Sequence, residues 1–241
     1  MTASAPGPPG PPGSPEWPAS LDVLVELLAE PRAPVSRSSR PRSRDVHVRD
    51  SLAGAALAEL AGAERIADVG SGAGLPGLVL AAALPGSRVD LIESAGGKCG
   101  FIAEAIERME LTNAEVVCER AEEWALDGRS RRGGGGREAY DAATARAVGS
   151  LPELAELASP LLRKGGWLVA WRGARDPADE EAAVAAEART AVEPVEIRPV
   201  TPYRGSRERH IHLLRKNGPT PNDLPRRPGM AAKKPFGSEP T

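Results

Sequence analysis

Arg65-Ile66-Ala67-Asp68-Val69 runs without a break into Gly70-Ser71-Gly72-Ala73-Gly74-Leu75-Pro76-Gly77, and the apolar run 78–84 follows. Four glycines within eight positions, after an apolar strand and before an apolar helix, read as a tight turn that lets a ligand approach the backbone closely. Pro76 suits the first turn of the helix, where its missing N–H is not needed. A second apolar strand, 88–93, ends on an acid, Glu93. Strand, glycine turn, helix, strand is the start of a doubly wound α/β sheet. Such sheets bind ligands at the carboxyl ends of their strands, near the switch in strand order.

The chain downstream keeps the alternation. Residues 98–111 place Phe101, Ile102, Ala105, Ile106 and Met109 on one helix face. Residues 114–119 and 140–148 read as strands three and four. Residues 151–166 read as a helix stopped by Gly165-Gly166, residues 167–172 as strand five, and residues 176–192 as an acidic helix. Residues 194–200 and 208–216 are strands six and seven, and their short connection predicts an antiparallel hairpin. Upstream, 21–30 and 48–62 read as helices, the second ended by Gly62, with a Pro/Ser/Arg-rich loop at 31–45. The expected fold is a mostly parallel, seven-stranded, doubly wound sheet with a small N-terminal helical extension.

Four segments are expected: a disordered Pro/Gly-rich tail at 1–18, the helical extension at 19–62, the sheet domain at 63–216 and a basic C-terminal tail at 217–241. The low-complexity stretch 128–137 is expected to be a mobile loop. Aromatic residues are only 3% of the chain, so Ala, Leu and Val must fill the core. The N-terminus lacks the apolar stretch of a signal peptide, and no apolar run reaches the ~18 residues of a membrane span. Cys99 and Cys118 show neither metal-ligand spacing nor a framework of pairs, which fits a reducing compartment. A soluble, cytoplasmic, monomeric protein is expected.

Charge is unevenly spread. Residues 32–49 carry six arginines against one acid, and residues 204–241 carry nine lysines and arginines against three acids. The whole chain is at −2, so the body between these arms is strongly acidic. Basic arms on an acidic body suggest a polyanionic partner; the plainer reading is that they keep the chain soluble.

Three ligands compete for the turn. Gly72-Ala73-Gly74-Leu75-Pro76-Gly77 matches the dinucleotide pattern, but no Lys-Ser or Lys-Thr follows, so a triphosphate loop is excluded. Asp68, at the end of the first strand, would repel a pyrophosphate and attract the ammonium of S-adenosylmethionine. Gly70, Gly72 and Gly74 permit close approach, and the helix N-terminus can receive a carboxylate. Glu93 can accept both ribose hydroxyls, as either a nicotinamide dinucleotide or S-adenosylmethionine would require.

Beyond the turn, "HVRDSLAGAAL", "IADVGSGAGLPGL", "LIES", "ERAEEW", "YDAATARAVGSL", "LLRKGGWLVAWRG" and "ERHIHLLRK" occur in the order found in the bacterial 16S rRNA guanine-N7 methyltransferases, also called the glucose-inhibited division protein B family. The tail "NDLPRRPGMAAKKPFG" resembles that family's basic C-terminal signature, and the resemblance spans about residues 46–237. It implies a class I methyltransferase fold, S-adenosylmethionine as methyl donor without a metal, and transfer to N7 of one guanine in small-subunit rRNA. It puts donor contacts at Gly70 and Leu75, at Ala121 and Glu122 beside the adenine, and at Arg146 on the exit of strand four. With the basic tail, it implies that Arg226, Arg227, Lys233 and Lys234 grip RNA. Each position also has a plain structural reading: Leu75 as core, Glu122 as a helix cap, Arg146 as a surface charge.

Guanine N7 offers an in-plane lone pair and carries no proton. Its methylation needs alignment rather than a general base, so no catalytic base is assigned, and His47, His210 and His212 are expected to be structural or to lie on an RNA surface. Two other readings stay open: a methyltransferase-like module that binds RNA without activity, and a methyltransferase for another RNA or for a protein.

Overall fold

The computed structural model describes residues 17–126 and 136–237. The expected tail at 1–18, apart from Trp17 and Pro18, and most of the expected loop at 128–137 lie outside the described residues.

Seven strands form one sheet in the order β3-β2-β1-β4-β5-β7-β6: β1 (Arg65–Val69), β2 (Arg88–Ile92), β3 (Ala114–Val117), β4 (Tyr140–Arg146), β5 (Leu162–Arg172), β6 (Val192–Pro199) and β7 (His210–Lys216). The first five pair in parallel, while β7 enters antiparallel between β5 and β6. The order reverses at β1, whose two neighbours are β2 and β4. The seven strands and the antiparallel final hairpin agree with the sequence reading.

Helices cover both faces, and strand periodicity decides which residues meet them. On β1, Ile66 joins a core built with Leu21, Leu24, Val79, Leu91, Phe101 and Trp171. Ala67 and Val69 point the other way, toward Ala143, Ala145, Leu154 and Leu168. The first layer holds α1 (Ser20–Ala29), the short α2 (Asp50–Leu52) and α3 (Ala58–Ala61), then α4 (Gly77–Ala83) and α5 (Gly96–Arg108). The second holds α6 (Ala121–Trp124), α7 (Leu151–Ala158) and α8 (Pro177–Thr190), and α9 (Met230–Lys233) follows in the C-terminal tail. Two helix starts are explicit: Ser150 Oγ accepts from Glu153 N at 3.3 Å, and Asp176 Oδ1 accepts from Ala178 N at 3.1 Å with Pro177 beside it.

Four expectations need correction. The helix at 48–62 is broken, and the loop before it is partly helical: a π-helical turn (Arg44–Arg49) leads into α2, and α3 is separate. At the break sits Trp171, whose indole Nε1 donates to Asp50 O at 2.9 Å and whose ring lies where a side chain at Gly54 would be, 2.1 Å from the Cβ position. The helix at 151–166 ends at Ala158. Gly165, at φ +86°, belongs to an irregularity in β5, where Tyr140 faces Leu162 and Ala142 faces Trp167.

The two cysteines are also paired. The first turn of α5 packs beside the end of β3, the Cα atoms of Cys99 and Cys118 are 5.8 Å apart, and a disulfide joins them. Finally, the C-terminal tail is no free arm. Buried Lys216 donates to Leu162 O at 3.0 Å and to Thr220 Oγ1 at 2.5 Å, and Arg137 donates to Leu224 O at 3.1 Å. Arg226 forks onto the buried Glu156 of α7, with Nε to Oε1 at 2.6 Å. Phe236 lies against the guanidinium groups of Arg226 and Arg189, 4.1 and 4.3 Å from its centroid.

Candidate functional site

The turn after β1 is fixed from beneath by one carboxylate. Asp68 is fully buried. Its Oδ2 accepts from the Ser71 hydroxyl and from Gly77 N at 3.0 Å, and its Oδ1 accepts from Thr144 Oγ1 on β4 at 2.9 Å. Burial pushes its carboxyl up to about 6, against the hydrogen bonds that favour the anion. Asp68 thus shapes the turn from beneath and is not among the residues that line the cleft beside it. Gly74 and Leu75 lie under the turn as well: a Cβ on Gly74 would meet Leu78 at 2.3 Å, and Leu75 packs in the core.

Gly72 is the open position. Its φ of +62° is left-handed, and a Cβ there would meet nothing nearer than Gly70 O at 3.8 Å. Its N–H donates to Glu93 Oε2 at 3.0 Å, while Glu93 Oε1 accepts from Ala95 N at 2.9 Å. Two backbone amides from two loops therefore hold one buried carboxylate at the rim of the turn.

The cleft beside them has a volume of about 160 Å³. Val69, Gly70, Ile92, Glu93 and Ser94 form one side, Glu119 to Glu122 a second, and Val148, Glu153 and Leu157 a third. Four acids line it, Glu93, Glu119, Glu122 and Glu153, against one base, Arg120. Burial raises the Glu153 carboxyl, with neighbouring Glu122 and Glu156 adding to the effect. Such a lining suits a cationic ligand with hydroxyl and amino donors and opposes a pyrophosphate.

Of the residues predicted from sequence, Gly70, Glu93, Ala121 and Glu122 come together here, with Gly72 bonded to Glu93. Arg146 does not line the cleft. Its Nη1 donates to Val46 O at 3.2 Å and approaches Asp50 Oδ2 at 3.3 Å, so it fastens the N-terminal extension to the end of β4. His47 is held by Ser39 Oγ at 2.8 Å and by Arg146, and burial lowers it to about 4, leaving it neutral near pH 7. Arg226 is engaged with Glu156 rather than displayed for RNA, whereas Arg227, Lys233 and Lys234 are exposed.

Sequence reasoning missed Val148, Glu153 and Leu157. It also missed the tail residues Gly229, Ala231 and Ala232, which line the same cleft. The Oε1 of Glu122 accepts from Gly229 N at 2.8 Å. The tail signature was visible in the sequence, but its charge drew attention to RNA and away from the pocket.

A family model described as GidB, rRNA small subunit methyltransferase G, matches residues 35–212, well over half of the chain. The chain belongs to this family. A ribosomal RNA small subunit methyltransferase G from Rubrobacter xylanophilus is 41% identical over 194 residues, 79% of this chain and 72% of the relative. One from Chloroflexus aggregans is 41% identical over 196 residues, covering 79% and 76%.

Among solved structures, an O-methyltransferase from Bacillus cereus in complex with SAH superposes at a TM-score of 0.57 with 18% identity, covering 83% of this chain and 92% of that one. The fibrillarin pre-rRNA processing protein of Methanococcus jannaschii gives 0.52 with 16% identity, covering 70% and 74%. At these identities the likeness is one of fold. This member of the methyltransferase G family therefore has the class I methyltransferase sheet, with the glycine turn where the strand order reverses. Among the described residues no helix is long and apolar enough to cross a membrane, and no cluster of acids, histidines and cysteines could hold a metal ion.

Proposed function

We propose that this chain transfers a methyl group from S-adenosylmethionine to N7 of one guanine in small-subunit rRNA. The observation that carries the reading is the acidic cleft at the glycine turn, in a chain of this family. When bound, S-adenosylmethionine supplies an electrophilic methyl on a sulfonium. Glu93, immobilised by the amides of Gly72 and Ala95, accepts the ribose hydroxyls. Ala121 and Glu122 flank the adenine. Gly70 and Gly72 let the backbone approach the amino-acid end, and the four acids favour the cation over a neutral competitor.

The residues then orient two reactants and exclude water. Proximity and orientation of this kind supply ~7–11 kcal/mol of a barrier. The nucleophile has no proton to lose, so none of these side chains acts as a base.

RNA approaches over the carboxyl ends of the strands. Exposed Arg37 and Arg42 lie on the N-terminal extension, and exposed Arg204 and Arg207 on the β6–β7 connection. The two segments meet at Asp50, which Arg146 approaches at 3.3 Å and Arg209 at 3.5 Å. Arg227, Lys233 and Lys234 add charge on the tail. The test is methyl transfer from labelled donor to small subunits that lack the modification, with the product mapped by borohydride and aniline cleavage. A product methylated at N1 or N2, or in a protein, would sink this reading.

A further inference from the structure

The family model that matches this chain ends at residue 212, yet the tail beyond it is part of the same cleft. Gly229, Ala231 and Ala232 line it together with Glu93 and Ser94. Three attachments keep the tail there. Arg226 is forked onto Glu156 and also donates to Lys234 O at 2.7 Å. Asp223 accepts from Arg189 of α8 at 2.7 Å. At the cleft itself, the Gly229 N–H donates to the carboxylate of Glu122, whose residue is only 8% exposed. Gly229 can aim that N–H because its φ is +79°, a left-handed conformation in which a side chain would be strained.

We infer that the C-terminal segment Gly229–Ala232 is a wall of the donor site, and that Glu122 is a positioning residue that holds this wall in place. The inference rests on the reading of the cleft as the donor's. It changes what the basic tail does. The charges of Arg227, Lys233 and Lys234 face outward, while the small residues between them, Gly229, Ala231 and Ala232, close the pocket. Small side chains are what a wall against a flat adenine requires, because anything larger would fill the space.

The experiment measures S-adenosylhomocysteine affinity by calorimetry for Glu122→Ala, Glu122→Gln, Gly229→Val, Gly229→Ala and the double variant Glu122→Ala/Gly229→Val. Glu122→Ala and Gly229→Val should each weaken binding ~10-fold, the worth of about one hydrogen bond. Because both act through one contact, the double variant should stay near ~10-fold rather than reach ~100-fold. Glu122→Gln keeps an acceptor oxygen and should stay within ~3-fold of the parent.

In the full-length protein, saturating S-adenosylhomocysteine should slow trypsin cleavage after Lys233 by ~10-fold, and Glu122→Ala should abolish that protection. In single-turnover transfer, the donor concentration that gives half the maximal rate should rise ~10-fold in step with the lost affinity. Glu93→Ala separates the two claims. If it binds like the parent, the cleft is not the donor's and the wall falls with it. If it binds weakly while both Gly229 variants bind normally, or if the double variant is additive, the cleft stands and the wall alone is overturned.

Discussion

Glu122 and Gly229, 107 positions apart in the chain, share a hydrogen bond of 2.8 Å. One residue is the second of the short helix after β3, and the other caps the start of the last helix of the described chain. Their contact makes the acidic cleft a composite of the sheet and the tail, and it sets several expectations apart from those charge alone would give.

Arg226→Ala should appear in stability before it appears in RNA binding. It leaves Glu156, 3% exposed, as a buried carboxylate without its partner. Losing one member of a buried pair costs roughly 3–5 kcal/mol. Urea unfolding should show a lower midpoint with an unchanged slope. A variant with parental stability and weakened RNA binding would return Arg226 to the RNA surface.

Gly77→Ala should disturb the turn from below. The new Cβ would sit 2.7 Å from Asp68 Oδ2 and 2.8 Å from Leu91 Cδ2, so backbone or carboxylate must move. Overpacking of this kind costs about 1–3 kcal/mol, and donor affinity should fall with it. Gly86→Ala is the control, because nothing lies within 4 Å of its Cβ position. Thermal melts of the two variants should differ, and equal melting temperatures would refute the packing argument.

Asp68 should give stability a pH dependence of unusual sign for an aspartate. Its carboxyl lies at about 6 in the folded chain, against an ordinary value of 3.8. Between those values the folded state binds more protons than the unfolded state, so stability falls as pH rises through the window, by at most ~1.4 kcal/mol per unit. Asp68→Asn carries no titrating group and should remove that slope, whatever its effect on absolute stability. Parallel stability profiles for parent and variant between about pH 4 and 6 would contradict the assignment.

Chemistry, by contrast, should be insensitive to pH. With a proton-free nucleophile and no base, single-turnover transfer should be flat from about pH 7 to 8.5, above the Asp68 window. A rate that climbs steeply across that range would point to a side chain removing a proton from the substrate.

Much of this arrangement was legible before the structure. β1, the glycine turn and Glu93 announce themselves because their signals are local: a short apolar run, glycine density, an acid at a strand end. The misread elements depend on partners far along the chain. Residues 48–62 have helical spacing, but the ring that occupies the space beside Gly54, where the helix is broken, belongs to Trp171. Leu161 and Leu162 look like a continuing helix until β4 pairs with the second of them. Arg226 looks like part of a basic arm because Glu156 is 70 residues away. Cys99 and Cys118 carry no spacing rule, and only the packing of α5 on β3 brings them together.

The seat of Trp171 on Gly54 bears on how the N-terminal extension is held to the sheet. The arginine-bearing N-terminal extension is joined to the central sheet by that indole and its hydrogen bond to Asp50 O, and by the Arg146 guanidinium on Val46 O. Both anchors stand at the ends of strands, and β4 is the immediate neighbour of β1. A pull on the extension would therefore act at the ends of β5 and β4, and β4 lies beside the strand that leads into the glycine turn.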